Sequence, residues 1–390
     1  MFLKFQADHL FTGTKMLGNE VVLVMDEGGR FQDIVPQADA GESVTRLTGI
    51  LCPGFINAHS HLELSHMHNR ISRGTGLVDF VFQVVNERHL ADEVIDEVIS
   101  FWQEQMFKSG IVAVGDICNN NSTLNAKKSS PLSYYNFIES SGWVPSVAAQ
   151  RFNRSKILYE EFLSSGLTSS IVPHAPYSVS EDLWQMITPF FENKVVTIHN
   201  QESPFENDFF MNGSGGLVRM YEMMNLDNSF HIASGKTSLQ THFHKLEKAK
   251  SVILVHNTFT TQADIDYIKD QRSNQLVSFC ICINANQYIE KALPPIEMLI
   301  KNNCTIILGT DSMASNYNLD MVEEMKTIQT HFPDISLEQM LGWATLNGAV
   351  ALGMQDDIGS FEKGKSPGVV LIENVEEGKL TKSSNSRRLG

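Results

Sequence analysis

His59 and His61 sit one residue apart in "PGFINAHSHLEL", at the end of an apolar, strand-like run. Residues i and i+2 of a strand point to one face, so the two imidazoles can grip a single ion together. The same spelling recurs at His66–His68 and at His242–His244. The latter pair lies in "SLQTHFHKLEKAKS", a helical stretch whose apolar stripe is Leu239, Phe243 and Leu246. Helix neighbours two apart diverge by roughly 200°, so His242 and His244 read as surface residues. His66 and His68 fall in a loop past the strand and read as ordinary loop polarity.

Two histidines do not complete a site, because catalytic zinc typically takes three protein ligands and keeps an open position. His199 closes the run "VVTIHN" and Asp311 closes "TIILGTD", which supply a third nitrogen and an oxygen. A metal site is therefore expected at His59 and His61, with His199 and Asp311 as candidates to complete it. Zinc is the first choice for three imidazoles and a carboxylate, and iron(II) and manganese(II) suit the same donors.

The elements that must position these residues begin near Leu51. From there, short apolar runs alternate with helical segments of ten or more residues, the pattern of βαβ units. Eight runs can be counted: "GFINAH", "IVAVGDI", "SVAAQRF", "SIVPHAP", "VVTIHN", "VILVHN", "VSFCICINAN" and "TIILGTD". They predict an α/β chain folded as a (β/α)8 TIM barrel. Nearly every run ends in a residue capable of chemistry: His59 and His61, Asp116, Arg151, His174, His199, His256, Asn286, Asp311. In such a barrel these ends converge on one face, where active sites of the fold lie. The first fifty residues and the stretch after Gly353 read as short strands, with a hairpin turn at Glu27–Gly29. The two chain ends, 1–52 and 354–390, are expected to form a small composite β-sandwich beside a barrel over 53–353.

The composition bounds the partners. Of 390 residues, 42% are hydrophobic and 19% charged, which suits a globular chain. No apolar run has the length of a membrane span and no secretion signal opens the chain, so a cytoplasmic location is the default. Five cysteines make no disulfide framework, and Cys280 and Cys282 read as packed thiols. A net charge of −15 disfavours nucleic acid as a partner. Arg387 and Arg388 read as part of a solvated tail.

The set "PGFINAHSHLEL", "VPHAPYS", "IHNQES", "LVHNTF" and "LGTDSMAS" resembles the amidohydrolase superfamily, in order from about residue 50 to 350. The spelling is similar to the mononuclear branch that holds the guanine, cytosine, S-adenosylhomocysteine and aminofutalosine deaminases and the triazine hydrolases. That resemblance implies the ligand set above, with Glu202 of "HNQE" as proton shuttle and His256 hydrogen-bonded to the attacking hydroxide. It implies substrate contact at His174. Where dinuclear relatives carry a modified lysine at the end of strand four, this chain has "IVPHAP", which favours one metal ion. Asp311 is expected to keep a free oxygen for the second proton of water. Glu63 is expected to reach substrate or to support the metal shell, and Arg151 and Gln201 to point toward the same rim. The segment 204–225 is either a mobile lid or an apolar helix packed on the barrel. "GKSPGVVLI" departs from the family's usual C-terminal spelling, a change in the sandwich rather than at the metal.

The implied reaction is hydrolytic deamination of an amino-substituted purine, pyrimidine or related nucleoside, a small-molecule substrate. Metal-bound hydroxide attacks the amine-bearing carbon and ammonia leaves. The rival within the fold displaces another group, as triazine hydrolases and cyclic amidases do. A non-catalytic scaffold would have lost a ligand or the acid, and all six residues are present. The resemblance also allows a homodimer.

Overall fold

The computed structural model describes residues 2–271 and 275–389. At its centre lie eight strands: Phe55–Ser60, Ile111–Cys118, Ser133–Ser140, Ser169–Pro173, Val195–Asn200, Ser251–His256, Leu276–Ile281 and Thr305–Leu308. Helices such as Asp92–Lys108, Ala148–Ser164 and Gln262–Gln271 alternate with them. The strands are buried on both faces, which is why they read as near-continuous apolar runs instead of alternating ones. They form two parallel four-stranded sheets, each in sequential order.

These sheets meet at two seams. At one, the amides of Thr310 and Asp311 donate to the carbonyl of His59 at 3.1 and 3.0 Å. At the other, the amide of His199 donates to the carbonyl of His174 at 2.9 Å. Gly309 permits the first approach, since a Cβ there would lie 2.9 Å from both His59 Cβ and Cys280 Sγ.

The third strand is not the one expected. "SVAAQRF" leads through a short turn at Pro145–Val147 into the helix Ala148–Ser164, and the strand is "SYYNFIES", Ser133–Ser140. Pro145 suits the first turn of a helix and the alanines that follow favour its continuation. Tyr134, Tyr135, Phe137 and Ile138 instead fit a pleated, buried surface. Strand seven stops at Ile281, and "INANQYI" forms the helix Ile283–Ile289. The long helical stretch after strand one is two helices, Leu77–Glu87 and Asp92–Lys108.

Among the outer strands, Val369–Glu376 pairs antiparallel with both Ile50–Pro53 and Lys379–Leu389. Both chain ends thus share one five-stranded sheet. A four-stranded sheet carries Phe2–Gln6, Val21–Asp26, Phe31–Pro36 and Thr45–Arg46. Leu10, Leu51 and Leu371 of the first sheet share an apolar cluster with Leu23, Met25 and Phe31 of the second. The tail read as a solvated end is therefore a strand. Arg387 pairs with Glu373 at 3.2 Å, and the Arg388 guanidinium lies 4.5 Å from the centre of the Phe107 ring.

Above strands four and eight, the helices Pro204–Asn212 and Gly216–Met223 turn on Gly213, whose φ of 66° suits glycine. Phe209, Leu217 and Tyr221 pack with Leu77, Phe80 and Tyr177 in a second apolar cluster. Arg219 ties this cover to Asp79 at 2.9 Å. Among the described residues no helix is long and apolar enough to cross a membrane.

Candidate active site

His59 lies in strand one and His61 just past its end, His199 lies near the end of strand five, and Asp311 follows strand eight. The structure brings their donor atoms to one point. His61 Nε2 stands 3.2 Å from His59 Nε2, 3.3 Å from His199 Nε2 and 3.4 Å from Asp311 Oδ1. His59 Nε2 is 3.5 Å from the same carboxylate oxygen. Donors held tetrahedrally at about 2.0–2.1 Å from one zinc ion lie about 3.3–3.4 Å apart, so the spacing fits.

The chemistry fits as well. His199 Nδ1 donates to the His174 carbonyl at 2.8 Å, which leaves Nε2 a lone pair. Burial pushes His61 down to about 3 and His199 well below its ordinary value, so these rings are neutral. His199 Nε2, with its lone pair, faces His61 Nε2, which in turn faces His59 Nε2, and a divalent cation satisfies donors that otherwise meet one another.

Burial pushes the Asp311 carboxyl up, and the imidazoles of His59, His61 and His256 outweigh it and hold the group below the usual range. Its second oxygen is not free as expected. The chain turns back at Ser312–Ser315, and Ser315 Oγ donates to Asp311 Oδ2. The backbone at Asp311 has φ 58°, a strained setting for a non-glycine residue and a common one at functional sites.

His256 ends strand six, with φ 72°. Asn286 Oδ1 accepts from its Nδ1 at 2.9 Å, so Asn286 serves from a helix, not from a strand end. His256 Nε2 lies 3.5 Å from Glu202 Oε1. Burial holds Glu202 well above the usual carboxylate range, with the charge of Asp311 adding to it. Burial likewise lowers His256 to about 4. Burial thus raises the proton affinity of the acid and lowers that of the ring beside it.

These groups open onto a cavity of about 300 Å³. Glu63, Arg151 and His174 line it, Arg151 from the helix Ala148–Ser164 and not from a strand. Gln201 is turned away. Its Nε2 donates to Asn207 and Asp264 and its Oε1 accepts from Thr260, a loop network set by its φ of 45°. Asp116 also stays out of the cavity, paired with the buried Lys127 at 2.5 Å. His242 is buried, not at the surface. The helix Ser238–His242 tightens into a 3-10 turn, and its ring stacks on Trp184. His66 meets the Arg88 carbonyl at 2.8 Å.

Sequence reasoning missed Asn119, Glu139, Trp143, Arg88 and Arg154, all of which line the cavity. Glu139 carried a usable signal, since it closes strand three as the other site residues close theirs.

A model of the amidohydrolase family matches residues 50–387. The chain is 26% identical over 326 residues to a Helicobacter pylori protein named adenosine deaminase, covering 81% of this chain and 77% of that one. Its fold is similar to the crystal structure of Helicobacter pylori aminofutalosine deaminase in complex with methylthio-coformycin. That match has a TM-score of 0.80 at 21% identity and covers 97% and 94% of the two chains. It is also similar to atrazine chlorohydrolase of Arthrobacter aurescens complexed with zinc, with a TM-score of 0.73 at 15% identity, covering 97% and 89%.

Proposed function

This chain belongs to the amidohydrolase family, and from that premise we propose that it is a metal-dependent hydrolytic deaminase of an adenine-type nucleoside. Water replaces the exocyclic amine, ammonia leaves, and the ring keeps a carbonyl. The observation that carries this reading is the convergence of four donors at 3.2–3.5 Å beside Glu202 and His256.

His59, His61, His199 and Asp311 would hold one divalent ion, zinc in our reading. When bound, the ion lowers the pKa of a water from 15.7 to about 7 and so supplies a nucleophile at neutral pH. Glu202, whose hold on a proton burial strengthens, delivers a proton to the ring nitrogen beside the amine-bearing carbon. His256 Nδ1 is spent on Asn286, so Nε2 is the acceptor that orients the attacking water. Leu77, Phe80, Trp143 and Tyr177 offer an apolar wall to a flat ring. Arg88, Arg151 and Arg154 line the same cavity, and none forms an ion pair among the described residues. They suit a substrate whose far end carries a negative charge.

The same reading closes the eight strands into a (β/α)8 barrel over 53–353, with 1–52 and 354–390 as a composite β-sandwich. The two seams and the pairing of Val369–Glu376 with Ile50–Pro53 support it. No disulfide joins Cys52, Cys118, Cys280 or Cys282, which suits a reducing, cytoplasmic setting.

The test is ammonia release by zinc- or manganese-loaded protein. The panel holds adenine, guanine and cytosine nucleosides with neutral and anionic 5′ ends, beside His59→Ala and Glu202→Ala. Release lost in both variants is the expected result. Silence across the panel with one ion bound per chain would move the reading to hydrolysis of another C–N or C–Cl bond.

A further inference from the structure

Asn119, just past strand two, joins two glutamates on the cavity wall. Its backbone amide donates to Glu63 Oε2 at 2.9 Å and its Nδ2 to Glu139 Oε2 at 2.8 Å. Arg154 donates to the Asn119 carbonyl at 3.2 Å and holds the loop. One asparagine thus fixes one oxygen of each carboxyl group, and the other oxygen of each is left unspent.

Glu139 Oε1 is buried and accepts no hydrogen bond. It lies 3.7 Å from His199 Nδ1, but that nitrogen already gives its proton to the His174 carbonyl. For the same reason Glu139, His174 and His199, though clustered, cannot serve as a second metal site through that nitrogen. Glu63 Oε1 has no hydrogen-bond partner among the described residues, and no arginine forms an ion pair with either carboxyl group. A buried acceptor left empty is costly and uncommon. Glu139 Oε1 is such an acceptor, Glu63 offers a second oxygen on the same cavity wall, and a shared asparagine holds both groups, which suits a ligand bearing two neighbouring donors.

We propose that Glu63 and Glu139 form a clamp for the vicinal 2′,3′-hydroxyls of a ribose, so that the site selects ribonucleosides over deoxynucleosides. The proposal rests on the deaminase reading, and it assigns sugar recognition to two carboxyl groups that are not among the metal donors. Each hydroxyl donates to one unspent carboxyl oxygen. Fixing both carboxyls through Asn119 sets their separation before substrate arrives, which limits the ordering cost of binding.

The experiment compares adenosine, 2′-deoxyadenosine and 3′-deoxyadenosine on the metal-loaded wild type, which needs no variant to fold. Each deoxy analogue should lose about 10- to 100-fold in kcat/KM, as expected when a buried polar group is left without its hydrogen-bond partner. In Glu139→Ala the ribose preference should fall toward about 1 for one analogue, and in Glu63→Ala for the other. A general loss of structure would lower all three substrates alike and leave the ratios unmoved. Equal efficiency for the three nucleosides in the wild type overturns the clamp, as do ratios unchanged in both variants. Failure to deaminate any of them with an ion bound would instead tell against adenosine as substrate and leave the deaminase reading to the wider panel. Equilibrium binding of the same nucleosides then decides the clamp, tighter binding of adenosine supporting it and equal or absent binding ending it.

Discussion

Glu202 Oε1 stands 3.5 Å from His256 Nε2, and both side chains are almost wholly buried. Burial raises the acid and lowers the imidazole, so the two are driven apart in proton affinity. The acid keeps a proton to give, and the ring keeps a lone pair to receive one.

Glu202→Gln should therefore lower kcat by about 10²–10⁴-fold, the range lost with a general acid or base. Its metal content should equal that of the wild type, because the carboxyl is not among the converging donors. Steady-state ammonia release beside metal analysis of the same sample checks both halves. A variant that loses its ion would put Glu202 in the ligand set.

Removal of the ion by a chelator should abolish activity and lower the melting temperature. The donors at 3.2–3.5 Å then face one another with nothing between them. Zinc restored at 100 times its Kd should add about 2.7 kcal/mol of stability if the unfolded chain does not bind it. A melting temperature indifferent to zinc would count against the site.

Lys127→Met should destabilise the protein by about 3–5 kcal/mol, since it strands a buried Asp116. Lys127 Nζ pairs with Asp116 Oδ2 at 2.5 Å and lies 3.1 Å from Cys118 Sγ, with neither partner of the ion pair exposed. Adding Asp116→Asn to Lys127→Met should recover most of the loss in urea unfolding. Lys127→Met alone matching the wild type would show that the pair contributes little.

Glu324 predicts a pH slope. It is fully buried, accepts from Asn316 at 2.8 Å and from the amide of Asn284 at 3.2 Å, and burial pushes it from 4.5 to about 8. Between those values the folded chain keeps a proton that the unfolded chain has released, so stability falls as pH rises through the window. Glu324→Gln removes that slope. The wild type minus variant difference in unfolding free energy should decline from pH 5 to pH 8, and a constant difference would refute the assignment.

Much of the site was legible because strand geometry converts spacing into direction. His59 and His61 two apart, and His199, His256 and Asp311 at or just past strand ends, needed only the alternation of a pleat and the convergence of parallel strands. Glu139 escaped because strand three was placed on an alanine-rich helix start, which hid the rule that would have found it. Gln201 was misdirected because its left-handed backbone turns the side chain out of the strand's pattern. His242 was misplaced because a regular helix was assumed where the chain tightens to a 3-10 turn. Asn119 joins Glu63 and Glu139 only through the fold, and no local spacing could announce it.

The carbonyl of His59 accepts the amides of Thr310 and Asp311, and the Asn57 side chain donates to Thr310 at 2.7 Å across 253 residues of sequence. The first and last donors of the pocket are thus bolted together by the same contacts that join the sheets. On a ribosome moving at roughly 5–20 residues per second, that interval lasts on the order of 10–50 s. Throughout it the early histidines exist without the aspartate that completes their pocket. The donor set is therefore complete only once the last strand has closed against the first.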